Sequence, residues 1–413
     1  MKSLISILFL FLTSLNVIIL PQNPGWFEQQ SGTTEDLNAC SFVGQNLGIA
    51  VGSNGLILRT TDAGTNWLSV TNNTNENLFG VKMVSYVVGW IVGENGTILK
   101  TTDSGLNWFS QVSPSQEFFS ACYFQDENSG WIVGNNGVLL RTSNGGGNWD
   151  VFPIGTSSFL NDIFFISSDR GWISGGDELL RTTDSGLTWN IIYQHSLKKV
   201  FFIDDSIGWA INEGPTFNTS VVYTSNGGFN WDTKLSSSSS GTAYRAIYFV
   251  DEEKGWTVGE DGLILMTSDA GENWVDQSVN INNYYFLDVE FDDSEVGWTV
   301  GQNGKIFKTT NGGVSFIKEN KLNQIPTSFS LEQNYPNPFN PSTTINFSIL
   351  STTFTNLSVY DLTGKLIETL ISKEMPTGKY EITWTCGDLS SGIYFYRIQT
   401  PEYSSSKKML FLK

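Results

Sequence analysis

The feature that most constrains this chain is a stretch that recurs along most of it. In Gly89–Trp108, GWIVGENGTILKTTDSGLNW, the last eight residues read TTDSGLNW. Equivalent windows end at Trp67, Trp149, Trp189, Trp231, Trp274 and Phe316, so successive ends lie 41, 41, 40, 42, 43 and 42 residues apart. Gly-Trp falls earlier in the copies, at Gly89-Trp90, Gly130-Trp131, Gly171-Trp172, Gly208-Trp209, Gly255-Trp256 and Gly297-Trp298, with Gly48-Ile49 in the first. A period of about 40 to 45 residues is the length of one four-stranded propeller blade. The expectation is an all-β chain: a seven-bladed β-propeller followed by a small immunoglobulin-like β-sandwich.

Each copy divides into four strands, a to d. In the second copy they start near Val81, Gly89, Thr97 and Trp108. Asn54-Gly55, Asn95-Gly96, Asn136-Gly137, Asp261-Gly262 and Asn303-Gly304 stand between b and c, the pairs that supply the positive φ angles of a type I′ hairpin turn. There are eight candidate d strands for seven sets of a, b and c, because PGWFEQQ around Trp26 aligns with LNWFSQV around Trp108. Either the N-terminal strand or the strand after Phe316 closes the ring.

The eight-residue window resembles the Asp-box, or bacterial neuraminidase, repeat. The longer string, with Val-Gly after the Trp and Ile-Leu before Thr-Thr, is similar to the photosystem II stability and assembly factor-like propellers. The resemblance spans roughly residues 26 to 320 and implies a propeller fold, which hosts many activities. The box positions Asp62, Asp103, Asn144, Asp184, Asn226, Asp269 and Asn311 are expected to be structural: a short polar side chain bonds its own turn while Gly takes the left-handed position.

A ligand site is expected where the loops from d to a reach the central channel. The candidates there are Asn38, Asn161, Asp162, Lys198, Lys199, Tyr244, Arg245, Tyr284 and Asp288, polar groups with aromatic edges that suit a glycan or an extended peptide. Strand c repeats a cation at Arg59, Lys100, Arg141, Arg181 and Lys308, which forms either an anion-binding ring or a set of structural pairs. The sialidase reading lacks support, since the chain has six arginines, three of them in equivalent repeat positions, and no Arg-Ile-Pro. Asp162 and Asp288 leave a glycoside hydrolase as the alternative to a binding or scaffolding module.

A net charge of −18 opposes a nucleic-acid partner. Three cysteines and one histidine, His195, provide no metal cluster and no Cys/His catalytic system. Cys40 and Cys122 stand where other copies carry β-branched core residues and are expected to be buried free thiols. No cofactor is expected.

The ends carry addresses. Lys2 and the run from Leu4 to Leu12 resemble a secretory signal peptide over 1–21, too short and interrupted for a confident membrane span; a retained anchor is the alternative. The propeller is assigned to 22–320, a linker to 321–330 and a further domain to 331–413, without a transmembrane segment in the mature chain. That domain opens on NYPNPFNP, expected to run extended, and continues with alternating strands. Through Asn334, Tyr335, Pro336, Asn337, Pro338 and Phe339, then Tyr360, Asp361 and Gly364, then Gly392, Tyr394, Phe395 and Arg397, it resembles the type A C-terminal sorting domain of the type IX secretion system. The resemblance implies export to the cell surface or beyond. The expected partners are the secretion machinery for the tail and a protein or glycan at the surface for the propeller.

Overall fold

A computed structural model describes residues 25–214, 219–237, 243–279, 281, 283–313, 317–318, 326, 328–340, 342–385 and 389–412. The expected signal peptide, Phe316, Cys386 and most of the expected linker lie outside the described residues. Seven four-stranded antiparallel sheets form the blades. In blades 1 to 7 the innermost strand a is Leu37–Val43, Leu78–Met83, Phe119–Phe124, Leu160–Phe165, Leu197–Phe202, Tyr244–Phe249 and Phe286–Phe291. Neighbouring a strands touch one another around the whole circle, the seventh against the first.

The closure question is settled by pairing. Phe27–Gln29 pairs with Ile306–Thr310 and is the outer strand of blade 7. Trp26 fills that blade's box-tryptophan position: its ring meets Phe291 edge-on at 5.7 Å and its Nε1 donates to Gln277 Oε1 at 3.0 Å. The competitor, Ile317–Lys318, pairs instead with Glu381 and Ile382 of the C-terminal domain.

Aromatic stacking explains the Gly-Trp mark. Trp90, Trp131, Trp172, Trp209, Trp256 and Trp298 are buried and stack on Phe124, Phe165, Phe202, Phe249, Phe291 and Phe42, the phenylalanine near the end of strand a in the following blade, with centroids 3.7 to 4.4 Å apart. The box tryptophan of that blade meets the same ring edge-on, as Trp149 meets Phe124 at 5.9 Å and 88°. Such offset and edge contacts suit the ring quadrupoles. The preceding Gly is required by a close approach: a Cβ at Gly130 would lie 2.2 Å from the Phe124 ring, and one at Gly255 2.4 Å from Phe249. The turns between b and c are type I′ in form. Asn54 (φ 55°) and Gly55 (φ 69°) are both left-handed, and Leu56 N–H donates to Ser53 C=O at 3.0 Å.

The second domain is a sandwich. One sheet orders Ile317–Lys318, Gly378–Thr385, Ser342–Ile349 and Ser330–Leu331; the other orders Leu366–Met375, Thr353–Tyr360, Gly392–Gln399 and Ser404–Phe411. Both contribute to one core that includes Ile345, Phe347, Leu357, Ile382, Tyr396 and Met409. The entry motif bends where the sequence suggested an extended run, because its side chains and backbone are tied inward. Buried Asn334 donates its N–H to Tyr396 Oη at 2.7 Å and its Nδ2 to Thr343 Oγ1 at 2.8 Å, and Phe339 bridges to Phe411. Among the described residues no helix is long and apolar enough to cross a membrane.

Candidate functional site

The boxes lie at one end of the blades and behave as self-contained turns. Thr101 Oγ1 donates to Asp103 Oδ1 at 2.9 Å and accepts from Gly105 N–H at 3.0 Å, while Asp103 accepts from the backbone and side chain of Asn107 at 2.9 and 2.7 Å. Asp62, Asn144, Asp184, Asn226 and Asp269 repeat the backbone bonds, and Asn311 accepts from Thr309 at 3.1 Å. The bonds from Asn107, Thr188 and Asn273 hold Asp103, Asp184 and Asp269 below the ordinary carboxylate range.

The repeated cations do not converge on an anion. Arg59 Nε donates to Ser104 C=O at 2.6 Å and Lys100 Nζ to Gly145 C=O at 2.8 Å, each in the box of the next blade. Lys100, Arg141, Arg181 and Lys308 also sit 4.8 to 5.8 Å from the centroids of Trp90, Trp131, Trp172 and Trp298. Arg181 approaches Asp205 as well, at 3.5 Å. The cation–π contacts lie within each blade, between paired residues of strands b and c, while the carbonyls to which Arg59, Lys100 and Arg181 donate belong to the next blade and tie the two together.

At the opposite end, most of the expected ligand face is occupied by the seams between blades. The inner edge of each strand a is a sheet edge whose N–H and C=O groups need partners. Asn38 Nδ2 donates to Leu78 C=O at 2.8 Å and Asn161 Nδ2 to Leu197 C=O at 2.9 Å. Asp288 accepts from Cys40 N–H at 3.0 Å and Asp162 from Val200 N–H at 3.3 Å. Lys199 lies 3.6 Å from Asp162. Burial pulls Lys199 down but the charges of Asp162 and Asp288 outweigh it, so it stays protonated, while burial lifts Asp288 above its ordinary value. Lys198 pairs with Glu213 and Arg245 with Glu260, at 2.8 and 2.7 Å. Tyr244 departs from the expectation most plainly: it is 4 % exposed and lies in the core between blades 5 and 6, because it occupies the first position of strand a, where other blades place Leu or Phe. Tyr284 is half-buried, its ring 5.7 Å from Lys305 Nζ.

Cys40 is buried and Cys122 half-buried, and both are free thiols; burial raises Cys40 and pushes Cys122 up to about 12, so neither is an activated nucleophile. Among the described residues no group of His, Cys, Asp and Glu has the arrangement of a metal site.

Two groups that the motif reading passed over come together at the box end of the channel. Tyr123, Phe164, Phe201 and Tyr248, from the a strands of blades 3 to 6, form a half-buried arc with successive centroids 6.3, 5.0 and 5.0 Å apart. Beside this arc, on blades 3 to 7, the turns from a to b carry Asp126, Glu127, Asp169, Asp204, Asp205, Asp251, Glu252, Glu253, Asp292, Asp293 and Glu295. Arg170 pairs with Asp205, and Lys254 with Glu295 at 3.8 Å, leaving the rim strongly acidic. Glu290 stands at the arc's blade 7 end, accepts from Phe42 N–H at 2.8 Å and is pushed up to about 7 by burial, against the pull of Lys82. Burial, then the charges of Glu290 and Asp292, raise the Tyr248 phenol. The arc was legible in the repeat register, as the residue before the strand-a phenylalanine.

Comparison with known proteins agrees with this architecture. A structure described as YCF48 bound to D1 peptide is 22% identical, with a TM-score of 0.60 over 71% of this chain and 99% of that one. YCF48 from Cyanidioschyzon merolae is 20% identical, TM-score 0.59, over 69% and 98%. PorZ, described as an essential bacterial surface component of the type-IX secretion system of Porphyromonas gingivalis, is 13% identical, TM-score 0.51, over 92% of this chain and 60% of that one. Among curated proteins none matches. Residues 333–412 match the secretion system C-terminal sorting domain, the tail of type IX export. Matches over 21–121, 66–156, 111–197 and 190–282 cover more than half of the chain, which therefore belongs to the photosynthesis system II assembly factor YCF48 family, in a form that ends in a secretion sorting domain.

Proposed function

We propose that this protein is a non-catalytic binding module, exported by its sorting tail, whose propeller holds a protein partner at the cell surface. The observation that carries the reading is the use made of the channel carboxylates. Asp162 and Asp288, the pair on which a hydrolase would depend, each hold a backbone N–H of the next blade and share the charge of Lys199. A general acid and base need access to substrate and room for a water between them. A peptide partner is consistent with the family relative described as bound to a D1 peptide. The innermost strands also offer a half-buried arc of touching aromatic rings, a surface suited to side-chain anchors.

The test sets binding against turnover. The full chain is assayed for reducing-sugar release across polysaccharides, and for saturable binding to proteins extracted from the surface of the producing cells. Binding without sugar release is expected. Sugar release that disappears in Asp162→Asn or Asp288→Asn would overturn the reading in favour of the glycoside hydrolase.

A further inference from the structure

We infer that the partner enters at the box end of the channel as a basic, extended peptide segment with one aromatic or large aliphatic side chain inserted against the arc of Tyr123, Phe164, Phe201 and Tyr248. The inference rests on the protein-binding reading and adds a place and a chemistry to it. The arc belongs to the innermost strands, and its rings are half-buried, each touching the next around the ring. Each ring packs on one side against a neighbouring blade's core, which fixes it in place before any ligand arrives. Preorganised aromatic surface of this kind is what an inserted anchor finds at an interface centre.

Charge identifies the rest of the occupant. The turns around this mouth carry carboxylates from blade 3 through blade 7, on the same side of the channel as the arc, and Asp292 and Asp293 of blade 7 are exposed. An acidic segment would meet like charge there. A basic one is steered in and gains interactions that screen with salt. The opposite side of the mouth differs: blade 2 presents Tyr86 and Val87, 57% and 45% exposed, where other blades present acids or polar residues. A peptide lying across the mouth therefore meets charge on one side and an apolar contact on the other.

The test uses the full chain and short fluorescein-labelled peptides with a central Phe flanked on both sides by Lys, by Glu or by Ser, read by fluorescence anisotropy. Lys-flanked peptide is expected to bind tightest, and to weaken at least about tenfold when salt rises from about 0.05 to about 0.5 M. Replacing its central Phe by Ala is expected to cost about tenfold or more. Phe201→Ser should weaken binding similarly. Because that ring is half-buried, Asp292→Lys with Glu252→Lys provides a second variant at exposed positions, expected to abolish the preference for Lys over Glu flanks without lowering thermal stability. Equal or tighter binding of the Glu-flanked peptide overturns the inference. So does Lys-flanked binding that survives both variants but is lost in Phe118→Ser, a residue just before strand a of blade 3 whose ring lies between Phe79 and Phe159 at the other end of the blades, an outcome that leaves the binding-module reading standing. No binding of any peptide, together with no binding of surface proteins, overturns both.

Discussion

At the residue scale, two sets of carboxylates respond to pH in opposite directions. Hydrogen bonds hold Asp103 below its unfolded value, so its contribution is present above about pH 4 and fades as pH falls further. Asp103→Ala should destabilise the propeller by about 1 kcal/mol, the usual net worth of such bonds, and should leave binding unchanged. Calorimetry beside a binding assay checks both, and an unchanged melting temperature would contradict the structural role of the box. Glu290 runs the other way. Its folded value is raised to about 7, so the stability linked to its proton is fully present below about pH 4.5 and is lost as pH rises through 7. The melting temperature should therefore fall between pH 5 and pH 8 more steeply in the wild type than in Glu290→Gln; parallel slopes would refute the burial argument. What sequence reading missed at this scale was the distinction between a residue beside the channel and one beside the neighbouring blade. Asn38, Asn161 and Asp162 were correctly placed in strand a, but side-chain bonds across a seam depend on partners about 40 residues away.

At the element scale, the blade was almost fully legible. The Gly-Trp mark, the Asn-Gly turns and the box each correspond to a local device with a backbone reason, and the period supplied the count. What the mark did not disclose was its direction. Trp90 stacks on Phe124 of the next blade, so Gly-Trp is a joint between blades as much as a feature within one. Gly255→Ala would drive a Cβ into the Phe249 ring and is expected to cost about 1 to 3 kcal/mol, as overpacking of a filled core does. Denaturant unfolding measures this, and a loss below a few tenths of a kcal/mol would show that the seam can move aside. The closing strand was illegible because two segments carried the same pattern. Its choice depends on long-range competition: Trp26 finds Phe291 and Gln277, whereas Ile317–Lys318 finds a free sheet edge in the sandwich. Trp26→Ala should thus destabilise the propeller by about 3 to 5 kcal/mol, despite lying at its terminus. A change under 1 kcal/mol would contradict its role in closing the ring.

At the scale of the whole molecule, the chain joins an acidic propeller to a secretion sorting domain. Ile317–Lys318 adds an edge strand to the sandwich, and the tail's entry motif is locked by Asn334 and Phe339 into that same sandwich. Fold and address were readable because both are written in local, repeated or motif-dense patterns. The partner was not, because the side chains we propose for its recognition are ones that the repeat leaves free to vary: Tyr123, Phe164, Phe201 and Tyr248 share a register position with Ser41, Lys82 and Glu290. The measurement that bears most directly on the account is photo-crosslinking in living producer cells, with a benzophenone amino acid replacing Phe201. The full chain should yield an adduct with a protein exposed outside the outer membrane, and removal of residues 333–412 should abolish it. The same adduct from the truncated chain, or none from an exported full chain, would contradict the central claim.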